Sequence, residues 1–360
     1  MSDIGQHIYK IMKDGATLDA SDLFLCSEQK PHARVHGKVE VFNDEPIYTK
    51  EMLFEYLTMV LSPKEVDTFK TEQEINAAVA IPGFFRFRLN AFWHLNGISI
   101  VLRYIPTDIP VFDELGLPEC IKKCAHYKNG LVLITGSTGS GKSTTLACLI
   151  DMINREYNKH IITVEDPIEF VHQNRKSLIE QREVGEHTHS FGNALSSTLR
   201  EAADVILLGE MRTLETISMA ITAAETGSLV FATAHTNGAV DTINRLVDVF
   251  PAGQQNQIRQ QLAASLRAVV WQTLVPKKEG KGRVATFETL FKNYAVSSMI
   301  RDEKTHQIKS IMQMGLKDGM FTMERYLYEL VLSEKISMES AIECIPENSE
   351  DFKALFDEKS

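Results

Sequence analysis

The sequence predicts an α/β protein whose main sheet is mostly parallel and buried on both faces, with a smaller α+β domain before it. Three observations carry this. Short apolar runs at 131–135, 160–164, 205–209 and 229–234 alternate with helical segments, the rhythm of strand–helix–strand units. The stretch Gly136-Ser137-Thr138-Gly139-Ser140-Gly141-Lys142-Ser143 joins the first run to a helix expected at 144–153; it fits the phosphate-loop pattern G-x-x-x-x-G-K-[ST]. Residues Phe85 to Phe92 instead alternate as Phe-Arg-Phe-Arg-Leu-Asn-Ala-Phe, a half-exposed strand pattern.

The first domain is expected over 1–105. Ile4 to Met12 reads as a helix, Leu23 to Leu25 and Arg34 to Phe42 as strands, and Met52 to Leu61 and Pro63 to Phe69 as helices. Asn96-Gly97 lies between two strand patterns and signals a hairpin leading into Ile98 to Tyr104. Residues 106–118 hold Pro106, Pro110 and Pro118 and read as a linker. The second domain is expected over 119–335, with helices at about 188–200, 212–225, 254–271 and 322–333. Residues 336–360 read as an acidic tail that is helical in part.

Composition narrows the class. The chain has 360 residues, 44% of them apolar and 24% charged, which fits a soluble globular protein of two domains. A net charge of -10 offers no steering towards nucleic-acid phosphates, so no nucleic-acid partner is expected. No run of 18 apolar residues is present, so no membrane span is expected. The N-terminal segment is charged and amphipathic and lacks the apolar core of a signal peptide. Five cysteines at irregular spacing, with no CxxC pair, read as reduced thiols and give no zinc site.

Four polar clusters could carry chemistry. In the loop Gly136 to Ser143 and on to Thr144, glycines let backbone N–H groups turn towards an anion at a helix N-terminus. Lys142 can reach the β- and γ-phosphates, and Ser143 can hold Mg²⁺. The second cluster, Glu165, Asp166 and Glu169, follows the run ending at Val164. Carboxylates at a strand's C-terminal end face the ligand side of such sheets, and Glu165 is a candidate metal ligand. Third, Glu210 follows Gly209 at the end of the next run and is a candidate for Mg²⁺ or its waters, while Arg212 can face phosphate or pair with Glu165 or Glu210. Fourth, His235 follows the run 229–234 and can sense the γ-phosphate. The bland alternatives are turn capping, a surface ion pair and a strand-end histidine. Arg86, Arg88 and Arg103 in the first domain leave three readings open: an RNA-binding surface, arginines reaching a neighbouring subunit's nucleotide, or a solvated strand face.

These segments together resemble one family. GSTGSGKS at 136–143, ITVEDPIEFVH at 162–172, LIEQREVG at 178–185, DVILLGEMR at 204–212, AAETGSLVFATAHTN at 223–237 and RLVDVFP at 245–251 are similar to the motifs of secretion-type ATPases, specifically the PilT and PilU type of type IV pilus retraction motors. SDLFL at 21–25 and RFRLNAF at 86–92 resemble the first domain of that family. The resemblance implies a RecA-like ATPase core behind a PAS-like domain, assembled as a homo-hexamer on the cytoplasmic face of the inner membrane. It makes Lys142 and Ser143 the nucleotide pair for ATP and Mg²⁺. Glu169 becomes the water-activating glutamate, Glu210 the Walker B glutamate, and His235 part of a histidine box. It directs Arg86, Arg88 and Arg103 towards a neighbour's nucleotide. The implied partners are a membrane platform protein and a paralogous retraction ATPase.

The absent CxxC pairs and the lack of a long extra N-terminal region favour the retraction type over pilus-assembly ATPases. Departures from the family pattern at Ala202-Ala203-Asp204, Thr213 and Phe24 keep a PilU-like accessory with weak or partner-dependent turnover as the alternative. A nucleic-acid-associated ATPase is the third reading.

Overall fold

The structure, a computed structural model, describes residues 3–18, 20–35, 38–81, 85–105, 109–280, 282–345, 350, 352–353 and 356. It divides into two compact units, Met1–Asp108 and Ile109–Ser360.

Among the described residues, the first unit is a six-stranded antiparallel sheet with three helices. Its elements are α1 (Asp3–Thr17), β1 (Ala20–Cys26), β2 (His32–Val35), β3 (Lys38–Val41), α2 (Lys50–Val60), α3 (Pro63–Glu72), β4 (Glu74–Ile81), β5 (Phe85–His94) and β6 (Gly97–Ile105), with strand order β3-β2-β1-β6-β5-β4. The alternation along β5 does what its period demands: Phe87, Leu89 and Ala91 are buried in the core with Leu23, Ile100, Leu53 and Phe69, and Arg86 and Arg88 take the other face. The hairpin turns on Leu95-Asn96, with His94 opposite Gly97. Two sequence expectations change here. Arg34 to Phe42 is not one strand, because β2 folds back on β3 with His32 opposite Val41. β4, which pairs with Phe85 to Phe92 of β5, was not anticipated.

The second unit carries the α/β core. Its strands are β7 (Gly130–Thr135), β8 (His160–Glu165), β9 (Leu178–Glu183), β10 (Val205–Leu208), β11 (Leu229–Ala234), β12 (Leu266–Pro276) and β13 (Arg283–Phe291), ordered β13-β12-β7-β11-β10-β8-β9. All neighbours run parallel except β13, which is antiparallel to β12. The helices are α4 (Glu119–Lys122), α5 (Lys142–Glu156), α6 (Phe191–Thr198), α7 (Leu214–Thr226), α8 (Ala239–Asp248), α9 (Ala252–Ser265), α10 (Tyr294–Arg301), α11 (Ile308–Met314), α12 (Met323–Leu332) and α13 (Met338–Cys344). Every residue of β7, β10 and β11 is buried, as central parallel strands require.

The helix expected at 254–271 ends at Ser265, and Leu266 starts β12. Parallel pairing with β7 claims Leu266 to Trp271, and that tertiary partner overrides a helical spacing that continues from α9. Phe112 and Leu117, from the stretch read as a linker, are buried in this unit's core. In the stretch read as a tail, Ile336, Ala341, Ile345 and Phe352 are buried against Val275, Leu327 and Tyr328. The cysteines are free thiols. Among the described residues, no helix is long and apolar enough to cross a membrane.

Candidate active site

The glycine-rich loop leaves β7 and enters α5. Gly136 has φ 141°, and a Cβ there would lie 2.1 Å from the main-chain oxygen of Gln272, so only glycine fits. Gly141, at φ 90°, is the residue before α5. Lys142 is buried and donates from Nζ to the carbonyl oxygens of Gly136 (2.9 Å) and Ser137 (2.8 Å). Its ammonium thus already lies inside the loop. Burial pushes its pKa below the ordinary lysine value, and the charges of Glu210 and Glu169 pull it back up. Ser137, Thr138 and Gly139 are exposed at the loop's tip, open to a ligand.

Three parallel strand ends surround this loop, and each carries a predicted residue. At the end of β8, Glu165 Oε1 accepts from Thr163 Oγ1 (2.6 Å) and from Gln181 Nε2 (3.3 Å). Burial raises its pKa despite these bonds. Beyond β10, Gly209 lies so close to β8 that a Cβ would be 3.1 Å from Glu165 Cα. This crowding accounts for glycine where many phosphate-loop enzymes place aspartate. Glu210 follows and pairs with Arg212, the partner foreseen as one of two. Beyond β11, His235 Nε2 stands 3.2 Å from Glu210 Oε1. Burial lowers the His235 pKa, Lys142 and Arg212 push the same way, and Glu210 opposes them. The neutral imidazole is therefore favoured. Glu169 is exposed on the loop after β8, and its charge is felt at both Lys142 and Glu165.

Ser143, Glu165, His172, Gly209 and Thr233 line one small cavity of about 30 Å³, enough for a water or a small ion. A serine hydroxyl and a carboxylate are the hard oxygen donors that suit Mg²⁺, which takes one or two carboxylates and completes its shell with waters and substrate phosphates. The donor set fits. Among the described residues, no group of three or more His, Cys, Asp or Glu side chains could hold a metal alone.

Three supports escaped sequence reasoning. Gln181 of β9 accepts from His172 N (2.8 Å) and donates to Phe170 O (2.8 Å). Glu183 accepts from Ile168 N (3.1 Å). Both hold the acidic turn that carries Glu169. Gln272 of β12 contacts the glycine loop itself. The segment 178–185, similar to a family motif, is the sequence signal for Gln181 and Glu183.

Arg86, Arg88 and Arg103 belong to the first unit. Arg88 and Arg103 face each other across β5 and β6. Arg103 Nε bonds to Asp22 Oδ1 at 2.8 Å, while Arg88 has no side-chain partner among the described residues.

A family model for type II/IV secretion system proteins matches residues 2–348. The chain belongs to this family. Among secretion ATPases of known description, it is 48% identical over 311 residues to a twitching motility protein of Neisseria gonorrhoeae, covering 86% of this chain and 83% of that one. It is 44% identical over 343 residues to the type IV pilus retraction ATPase PilT of Pseudomonas aeruginosa, covering 95% and 99%. The type IV pilus ATPase PilU of the same organism is 40% identical over 322 residues, covering 89% and 84%. A crystal structure of the pilus retraction motor PilT with bound ADP superposes with a TM-score of 0.88 at 43% identity, covering 94% of this chain and 96% of that one. This secretion ATPase is thus of the PilT type, with a nucleotide-binding RecA-like core.

Proposed function

We propose that this secretion ATPase is an ATP-hydrolysing motor for type IV pilus retraction. The observation that carries the reading is the convergence of Glu210 and His235, from two strand ends, on the loop that encloses Lys142. It is supported by near full-length similarity to a PilT retraction ATPase.

In this reading Lys142 leaves the loop carbonyls for the β- and γ-phosphates, exchanging two neutral acceptors for charged ones. Ser143 and Glu165, with Glu210, would hold Mg²⁺, which would neutralise charge on the phosphate oxygens. Glu169 takes a proton from the attacking water as its oxygen bonds to the γ-phosphorus. The bond to the bridging oxygen breaks, and ADP leaves with the electron pair. His235, favoured neutral, donates its N–H to a γ-phosphate oxygen and reports its presence to α8, which begins four residues on. Six copies assemble at the cytoplasmic face of the inner membrane. Arg86, Arg88 and Arg103 reach towards a neighbouring copy's nucleotide, and the domain shifts drive a platform protein.

A second reading, an accessory that assists a paralogous retraction ATPase, is favoured by the 40% identity to PilU. Turnover by the purified protein, alone and with single-stranded DNA, tests the enzyme class. We expect DNA-independent ATP hydrolysis that Lys142→Ala abolishes. Strong stimulation by DNA would contradict the pilus reading.

A further inference from the structure

β12 runs beside β7 but outlasts it. The last parallel pair joins Trp271 to Thr135, the final residue of β7. On the β7 side the next residue of β12, Gln272, therefore lies level with the glycine loop, while on the other side it pairs with Phe287 of β13. Its side chain is buried and hydrogen-bonded at both ends of the amide. Nε2 donates to the carbonyl oxygen of Ser140 at 2.8 Å. Oε1 accepts from the Thr145 hydroxyl at 2.7 Å, in the first turn of α5. One amide thus links the loop's crest to the helix that follows it. The main chain is as close: Cβ atoms placed at Gly136 and Gly141 would meet Gln272 O at 2.1 Å and Gln272 Nε2 at 2.7 Å.

We propose that Gln272 is a positioning residue for nucleotide binding, holding the loop's backbone in its anion-accepting shape through Ser140 and Thr145. The inference rests on the reading of Gly136 to Ser143 as the phosphate site. The chemistry requires an amide. Ser140 O needs a donor and Thr145 Oγ1 needs an acceptor, and a primary amide supplies both from one rigid plane. Without it, the two groups are left buried and unpaired, and the loop shifts to recover partners. Phosphate recognition by backbone N–H groups tolerates little displacement, because several donors must converge on one anion.

The test compares ADP affinity and nucleotide-free thermal stability in the full chain. Gln272→Met keeps length and volume but makes neither bond. We expect ADP to bind about tenfold more weakly or worse, the loss that one or two buried hydrogen bonds represent. The double variant Gln272→Met/Thr145→Val removes the orphaned hydroxyl, so stability recovers in part while ADP affinity stays low, because Ser140 O remains without its donor. ADP affinity of Gln272→Met within twofold of the unsubstituted protein would overturn the proposal. So would recovery of affinity together with stability in the double variant, which is what a packing role alone would give. Should Gln272→Met not fold, Gln272→Glu keeps the acceptor for Thr145, loses the amide donor to Ser140, and is read by the same criterion. Lys142→Ala separates the two layers. Normal ADP binding by Lys142→Ala would overturn the phosphate-site reading. Loss of binding there with retention in Gln272→Met would overturn only the role of Gln272.

Discussion

His235 Nε2 lies 3.2 Å from Glu210 Oε1, a contact that joins the polar ends of the neighbouring strands β10 and β11 beside Lys142. Burial, Lys142 and Arg212 all keep the imidazole towards its neutral form, whose single N–H can turn from Glu210 to a phosphate oxygen. We expect His235→Ala to bind ADP within about threefold of the unsubstituted protein while turnover falls by about tenfold or more, the scale of losing one hydrogen bond to a charged group. Titration with fluorescent ADP and a steady-state phosphate-release assay check both halves.

Glu169 is exposed, and its charge acts on Lys142 and Glu165, which suits a base that must meet water. Glu169→Gln keeps the shape and removes the basicity. Turnover should fall by about a hundredfold or more, the usual contribution of general base catalysis, with ATP still bound. Near-normal turnover would remove Glu169 from the water-activating role.

Gly209 admits no side chain cheaply, since a Cβ would lie 3.1 Å from Glu165 Cα and 3.3 Å from Val164 O. Gly209→Asp should therefore destabilise the protein by about 1–3 kcal/mol, the typical cost of overpacking, and displace Glu165. Urea denaturation measures the first effect and Mg²⁺-dependent nucleotide affinity the second.

His172 lines the cavity beside Ser143 and Glu165, and its buried Nδ1 has no partner among the described residues. Burial lowers its pKa to about 4, whereas an unfolded histidine titrates near about 6.5. With the folded value depressed, the unfolded chain binds the proton first as pH falls. Its contribution to stability is therefore present above pH ~6.5 and is lost progressively down to about 4. We expect the difference in urea midpoint between pH 7 and pH 5 to shrink in His172→Gln.

The glycine loop and the strand ends were legible because each is a local pattern: an apolar run fixes the strand, and the residue just past it faces the ligand side. Glu165, Glu210 and His235 were found that way. Their supports were not, because they act across long sequence separations. Gln181 reaches Glu165 only once β9 pairs with β8, and the Leu-Ile-Glu-Gln-Arg-Glu segment is too polar to advertise a parallel strand. Gln272 lies beyond a stretch whose apolar spacing continues the helix α9, and only the pairing with β7 makes that stretch a strand. The last segment read as an acidic tail from its charge, yet Phe352 is fully buried. Ile336, Ala341, Ile345 and Phe352 are enough to dock its described residues.

Retraction of fluorescently labelled pili in living cells tests the central claim most directly. In a strain lacking this gene, pili should extend without retracting. The unsubstituted gene should restore retraction, and a Lys142→Ala copy should not. Retraction that fails only against an opposing load would favour the accessory role, and unchanged retraction frequency and speed in the deletion strain would contradict the motor assignment.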